Sequence, residues 1–170
     1  MRQDRDEDYA EYVAARRPTL VRTAVLLGCG AHDAEDVTQT ALVRCYRAWP
    51  RVRRADDPDA YVYRILVNTF RDSRTRRSYG EVPTEHLPVT WVNGHADAVA
   101  RGHVVRRALP SLSEQHRAVL VLRYFADLGE RQVAEILDLP SGTVKSRTAR
   151  ALAALSAHHD IAALDGERSL

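Results

Sequence analysis

The chain has 170 residues, 45% of them hydrophobic and 28% charged, with a formal net charge of +2, which suits one ordinary domain or two small ones. That composition excludes a disordered tail, and so small a net charge cannot by itself drive binding to a polyanion. No apolar run approaches the ~18 residues of a membrane span. The opening Arg2, Asp4, Arg5, Asp6, Glu7 and Asp8 has no signal-peptide core and reads as a disordered end, so a cytoplasmic location is expected. Cys29 and Cys45 lack CxxC spacing and a matching His pair, so two buried thiols are expected, with no disulfide framework, metal site or cofactor.

Helical periodicity dominates the chain. From Tyr9 to Leu27 the apolar positions Tyr9, Tyr12, Val13, Leu20, Ala24 and Leu27 recur at three- and four-residue spacing. Pro18 should kink this helix or start a new turn, and Gly28 and Gly30 should end it. Asp33 is the expected cap of a second helix reaching Trp49, with Val37, Ala41, Leu42, Cys45, Tyr46 and Trp49 as its apolar stripe and Pro50 as its stop. A polar loop follows, then a third helix with Asp57 as cap and Pro58 in its first turn, burying Tyr61, Ile65, Leu66, Thr69 and Phe70.

The pattern breaks at Gly80, Pro83, Pro88 and Gly94, reading as an interdomain linker. It resumes as a helix from about Ala96 to Leu109, ended by Pro110. Ser113 then caps a helix carrying Val119, Leu120, Leu122 and Phe125, and two shorter helices follow, about 129–137 and 141–156. The expected fold is all-α: two small helical modules, 5–78 and 96–160, joined by a flexible linker, 79–95, with a weakly ordered tail that includes 161–170.

The last two helices have helix-turn-helix spacing, with Ala134 at the close approach, Asp138 in the turn and Val144 anchoring the second helix. Asp138 stands where the turn favours Gly, a position Asp tolerates in the left-handed conformation. Val144, Ala151, Leu152 and Leu155 should face inward, and Thr143, Lys145, Ser146, Ala149 and Arg150 outward, with no acid from Ser141 to Ser156. Such a face suits the major groove. Lys145, the one lysine of the chain, and Arg150 can bond guanine edges or phosphates, Thr143 and Ser146 either, and the amides at Ser141 and Gly142 a phosphate.

On the third helix, Arg64, Asn68, Arg71 and Thr75 share the side opposite the apolar stripe, followed by Arg74, Arg76 and Arg77. Amide and aromatic groups beside arginines suit unstacked bases as well as duplex. Asp36, Gln39, Thr40, Arg44 and Arg47 form a mixed-charge strip on the second helix, read as solvated surface or a protein contact.

These segments resemble the extracytoplasmic-function sigma factors, the small two-domain promoter-recognition subunits of bacterial RNA polymerase, over nearly the whole chain. DAEDVTQTALVRCYRAW is similar to the family's helix that docks on the beta-prime clamp coiled coil, which implies polymerase-binding roles for Asp36, Gln39, Thr40 and Arg44. AYVYRILVNTFRDSRTRR is similar to the helix that recognises the −10 element. That implies contacts of Arg64, Asn68, Arg71, Arg74, Arg76 and Arg77 with the melted non-template strand, and a flipped-base pocket in loop 50–59. SLSEQHRAVLVLRYFADLGERQVAEILDLPSGTVKSRTARAL resembles the region that reads the −35 element, which implies reading roles for Ser141, Thr143, Lys145, Ser146, Arg147, Ala149 and Arg150.

The resemblance further implies the beta flap as a second polymerase contact, a linker including Trp91 near the active centre and RNA exit path, and promoter DNA as ligand. It permits an anti-sigma factor as partner, and it is strongest to a short actinobacterial group without an extra C-terminal domain. The alternative is a conventional helix-turn-helix repressor or activator, which would bind twofold half-sites without polymerase. A nucleic-acid-processing enzyme would need a nucleophile with a base or a metal-binding carboxylate cluster. Asp56, Asp57 and Asp59 are accounted for by helix capping and loop solubility, and His158 and His159 lack ligand spacing, so no catalytic residue is expected.

Overall fold

The computed structural model describes residues 2–78 and 105–158. The expected linker with Trp91, the start of the helix expected from Ala96, and the tail with His159 lie outside the described residues. Among the described residues the regular elements are all helical. They are α1 (Arg2–Leu27), α2 (Ala31–Val52), α3 (Pro58–Ser78), a 3-10 turn at Leu109–Ser111, α4 (Glu114–Leu120) widening into a π turn at Val121–Phe125, α5 (Glu130–Leu137) and α6 (Ser141–Ser156). They gather into two compact units, one built largely on α1 to α3 and one on the helices after residue 105.

In the first unit α2 packs on α3. Its buried residues, Ala34, Val37, Thr38, Ala41, Leu42, Cys45, Trp49 and Val52, follow the three- and four-residue spacing of one helix face. On α3 the counterpart is Val62, Tyr63, Leu66, Val67, Thr69 and Phe70, while Tyr61 and Ile65 are half-buried. Leu20 and Ala24 of α1 complete the core. The end of α1 follows from one glycine: Gly28 has φ 119°, and the Cys29 N–H donates to the Ala24 carbonyl at 3.1 Å. This closure satisfies a carbonyl that the helix leaves open.

Three boundaries differ from the sequence expectation. The acid-rich opening is not a disordered end: α1 begins at Arg2, and Asp6 and Asp8 accept hydrogen bonds from Tyr46 Oη and Trp49 Nε1, both at 2.8 Å. Pro50 lies inside α2 rather than ending it, while α1 runs through Pro18. Pro18 leaves the Ala14 carbonyl without its helical donor, but both residues are exposed, so water can serve it. Past Pro50, burial of Val52 and a bond from Arg53 N–H to the Trp49 carbonyl at 3.0 Å carry the last turn. Asp33 is not the cap of α2, because Gly30, in extended conformation, takes that place. Asp57 does cap α3, accepting from the Ala60 N–H at 2.9 Å.

In the second unit Ser113 caps α4 by accepting from His116 N–H at 3.3 Å, and α4 packs on α6. Val119, Leu120, Val121 and Leu122 are all buried, so the helix is enclosed all round at this one turn. Gln132 Oε1 reaches back to the Gly129 N–H at 2.6 Å, satisfying an open donor at the start of α5. Asp138 has φ 56°, and the next amide, Leu139, closes on the Ala134 carbonyl at 2.9 Å, so the left-handed turn expected there is present. On α6, Val144, Thr148 and Ala151 are buried, whereas Leu152, expected inward, is 39% exposed. The inward stripe runs through Thr148, whose hydroxyl is satisfied by the Val144 carbonyl at 2.8 Å, and this leaves Leu152 to one side.

Replacing the exposed Asp138 by Val, a β-branched residue that resists the left-handed region, is expected to destabilise the fold by about 1–2 kcal/mol. The check is urea unfolding followed by circular dichroism: the midpoint should fall at unchanged slope, and an unmoved midpoint would show that the turn does not depend on that conformation.

Candidate docking and nucleic-acid surfaces

The outward face of α2 presents Asp36, Gln39, Thr40 and Arg47, all exposed. Among them stands Val43, 50% exposed. An apolar side chain in a polar strip is a feature of protein contacts, and its signal in the sequence was its three- and four-residue spacing from Gln39, Thr40 and Arg47. Asp36 Oδ2 lies 3.8 Å from His32 Nε2. Arg44, grouped with this strip from the sequence, turns instead to α3, with Nη1 2.8 Å from Asp72 Oδ2 and 3.1 Å from Thr69 Oγ1.

On α3, Arg64, Asn68, Arg71 and Thr75 are exposed and lie along one side, giving a row with two cations, an amide and no acid. Arg74 stacks its guanidinium over the Phe70 ring, 5.7 Å from the centroid, and Arg76 is exposed. Arg77 is different: both of its terminal nitrogens meet the Asp33 carboxylate, Nη1 at 2.5 Å. That pairing, against a smaller opposing effect of burial, holds the Asp33 carboxyl below its ordinary range.

The loop between α2 and α3 is braced by α1 at both ends. Asp8 takes Trp49 Nε1 at 2.8 Å and Arg53 Nε at 3.2 Å, while Asp59 accepts from Tyr12 Oη at 2.9 Å and from Arg16. Tyr9 and Tyr12 pack against the Trp49 ring with centroids 5.1 and 5.0 Å away. Burial pushes the Tyr9 hydroxyl up to about 12, and burial with the Asp59 hydrogen bond raises that of Tyr12. The brace went unread because its partners are far apart in sequence. Both thiols are pushed up to about 12, chiefly by burial, which makes them weak nucleophiles; Cys45 is buried and Cys29 half-buried.

In the second unit Lys145, Ser146, Ala149 and Arg150 are exposed and Thr143 and Arg147 half-buried. Ser141 and Gly142 open α6 after Pro140, whose carbonyl accepts from the Thr143 and Val144 amides at 2.9 and 3.1 Å. No neighbour lies within 4 Å of a Cβ built at Gly142, so a phosphate can approach this turn. Ser146 Oγ donates to the Thr143 carbonyl at 3.1 Å, keeping its oxygen available as an acceptor. Tyr124, not singled out from the sequence, is 57% exposed. No group of three metal-ligating side chains occurs among the described residues, and no described helix is long and apolar enough to cross a membrane.

Family models for sigma-70 region 2 and sigma-70 region 4 match residues 12–79 and 103–155. The RNA polymerase sigma-E factor of Streptomyces avermitilis is 36% identical over 148 residues, covering 87% of this chain and 83% of the relative. The chain belongs to the extracytoplasmic-function sigma factors. Another relative of this sigma factor, SigL of Mycobacterium tuberculosis, is 30% identical over 153 residues, 86% of this chain and 84% of that one. The fold is that of the sigma factor RpoE solved with the anti-sigma factor NepR from Bartonella quintana, at TM-score 0.75 and 23% identity over 88% of this chain and 95% of that one. CnrH, solved with the cytosolic domain of CnrY, aligns at TM-score 0.62 and 26% identity over 95% of this chain and 90% of its own. As a sigma factor, the protein serves transcription initiation as a specificity factor rather than an enzyme.

Because Arg77 depresses the Asp33 carboxyl, the pair contributes stability above the ordinary aspartate value of 3.8, and that contribution disappears as pH falls through the folded value. Asp33→Asn is therefore expected to melt below the parent near neutral pH, with the gap closing as the pH falls below the ordinary aspartate range. A gap independent of pH in a melting series would contradict the pairing.

Proposed function

We propose that this sigma factor docks on core polymerase through the α2 face of Asp36, Gln39, Thr40 and Val43. In this reading it engages the melted −10 strand with Arg64, Asn68, Arg71, Arg74 and Arg76, and the −35 duplex with Ser141, Thr143, Lys145, Ser146, Arg147, Ala149 and Arg150. Residues 5–78 form the first functional domain and 96–160 the second, joined by the 79–95 linker. The observation that carries the reading is that each unit exposes one helix row of basic and amide or hydroxyl side chains without an acid: Arg64, Asn68, Arg71 and Thr75 on α3, and Lys145, Ser146 and Arg150 on α6, a helix with no acid at all. The clamp of the beta-prime subunit and the beta flap are the polymerase surfaces involved, and an anti-sigma factor is a fitting partner because RpoE, a protein of like fold, was solved with the anti-sigma factor NepR.

The decisive experiment is transcription in vitro with bacterial core polymerase on fragmented DNA from the source genome, mapping RNA 5′ ends with and without the protein. Starts that need the protein and share −35 and −10 elements support the proposal; their absence, together with polymerase-independent binding to palindromic sites, overturns it. Asp36→Arg combined with Gln39→Ala is expected to weaken core binding on the order of tenfold or more, and titration at parent affinity would remove the docking assignment. Arg150→Ala should cost initiation ~1–3 kcal/mol, the scale of a lost base contact. The same loss on promoters with a scrambled −35 element would assign Arg150 to phosphate.

A further inference from the structure

Two arginines that read as outward contacts from the sequence are engaged inside the first unit, and both cross from one functional helix to the other. Arg77, in the last turn of α3, grips Asp33, in the first turn of α2, with two parallel hydrogen bonds. Further along α2, Arg44 spans to Asp72 at 2.8 Å and to Thr69 Oγ1 at 3.1 Å; Thr69 Oγ1 itself donates to the Ile65 carbonyl at 2.7 Å. The Arg77–Asp33 fork is directional as well as attractive, and Arg44 adds a second tie through a single nitrogen shared between Asp72 and Thr69.

Their positions matter more than their strength. On α3 the clasped residues are sequence neighbours of the outward row: Thr69 follows Asn68, Asp72 follows Arg71, and Arg77 follows Arg76. On α2, Asp33 lies one turn before Asp36, and Arg44 adjoins Val43. The charged side chains of both clasps are partly exposed, although Thr69 is buried, and surface ion pairs of this kind add little to stability. The buried stripes hold α2 and α3 together.

We infer that Arg44 and Arg77 are positioning residues for −10 recognition, fixing α3 on α2 through Asp72 and Asp33 so that Arg64, Asn68 and Arg71 meet the melted strand in register with the docking face. This rests on the function proposed for those two helices. Arg77 then contributes geometry rather than a phosphate contact, and its partner Asp33 matters equally.

The test compares Asp33→Arg, Arg77→Asp and the double exchange in the full chain with core polymerase. It measures core affinity by titration and promoter opening by permanganate reactivity of thymines in the −10 region. Each single exchange should slow opening about three- to fivefold, the reach of one surface pair, with core affinity kept. The double exchange, which restores a pair of reversed polarity, should return opening to within about twofold of the parent. Arg77→Gln should leave the salt dependence of promoter binding unchanged, whereas loss of a phosphate contact lowers that slope by about one.

A defect in Arg77→Asp that Asp33→Arg does not share and the double exchange does not relieve would overturn the inference, as would a reduced salt slope in Arg77→Gln. Normal opening by all the exchanges overturns this inference alone. A parent chain that opens no promoter overturns the proposed function and this inference with it.

Discussion

The burial of one face of α2 against α3 is the contact on which the first unit depends. A helix in a small core gives up only a stripe of its surface, and on α2 that stripe runs from Ala34 to Val52. The remaining surface is therefore held in a fixed direction without any contact of its own. Asp36, Gln39, Thr40 and Val43 are exposed because their neighbours Val37, Ala41 and Leu42 are buried. The same reasoning applies to α3, where burial of Leu66, Val67 and Phe70 leaves Arg64, Asn68 and Arg71 pointing away. Core and functional surface are two sides of one periodicity.

Charge is organised by the same helices. The net charge of +2 conceals a division between acids engaged within the fold and cations left outside it. Five acids of the first unit meet arginines from other elements: Glu35 with Arg17, Asp33 with Arg77, Asp59 with Arg16, Asp72 with Arg44, and Asp8 with Arg53. Individually such pairs contribute little to stability. Two of them, Asp72 with Arg44 and Asp33 with Arg77, adjoin the α3 row and neutralise carboxylates that would otherwise repel a phosphate backbone there. Local arrangement, rather than total charge, is what makes a nearly neutral chain suited to nucleic acid.

How far the sequence discloses this depends on the range of the interaction. Features set by neighbours within a turn or two were legible: the bounds of α6, the Asp57 and Ser113 caps, the left-handed Asp138 and the outward row on α3. Features set by distant residues were not. Nothing local announces that Asp8 would bond Trp49, so the acidic opening read as disorder. Pro50 carries a strong local signal against helix, which burial of Val52 after it overrides. Leu152 read as inward, and Thr148 was left off the inward stripe, because hydrophobicity outranks a hydroxyl until the Val144 carbonyl is seen to satisfy it. For the candidate surfaces, the exposed positions followed from spacing, but the commitment of Arg44 and Arg77 to carboxylates across the helix pair had no short-range signature. A basic residue on an outward helix face is identified by composition, whereas its availability is decided by the tertiary fold.

That distinction bears on selectivity. Neither the α3 row nor the α6 face is extensive, and small contacts gain strength chiefly when a larger assembly makes the second one effectively intramolecular. Under the proposed function polymerase supplies that tether, so the protein's own task is to present a few side chains at correct angles rather than to accumulate attraction. More free arginines would strengthen binding to any phosphate backbone and blur the difference between promoters. Arginines that orient their neighbours through carboxylates add no such indiscriminate attraction. On this view the engaged acids of the first unit are part of its specificity, because they turn surplus positive charge into fixed geometry.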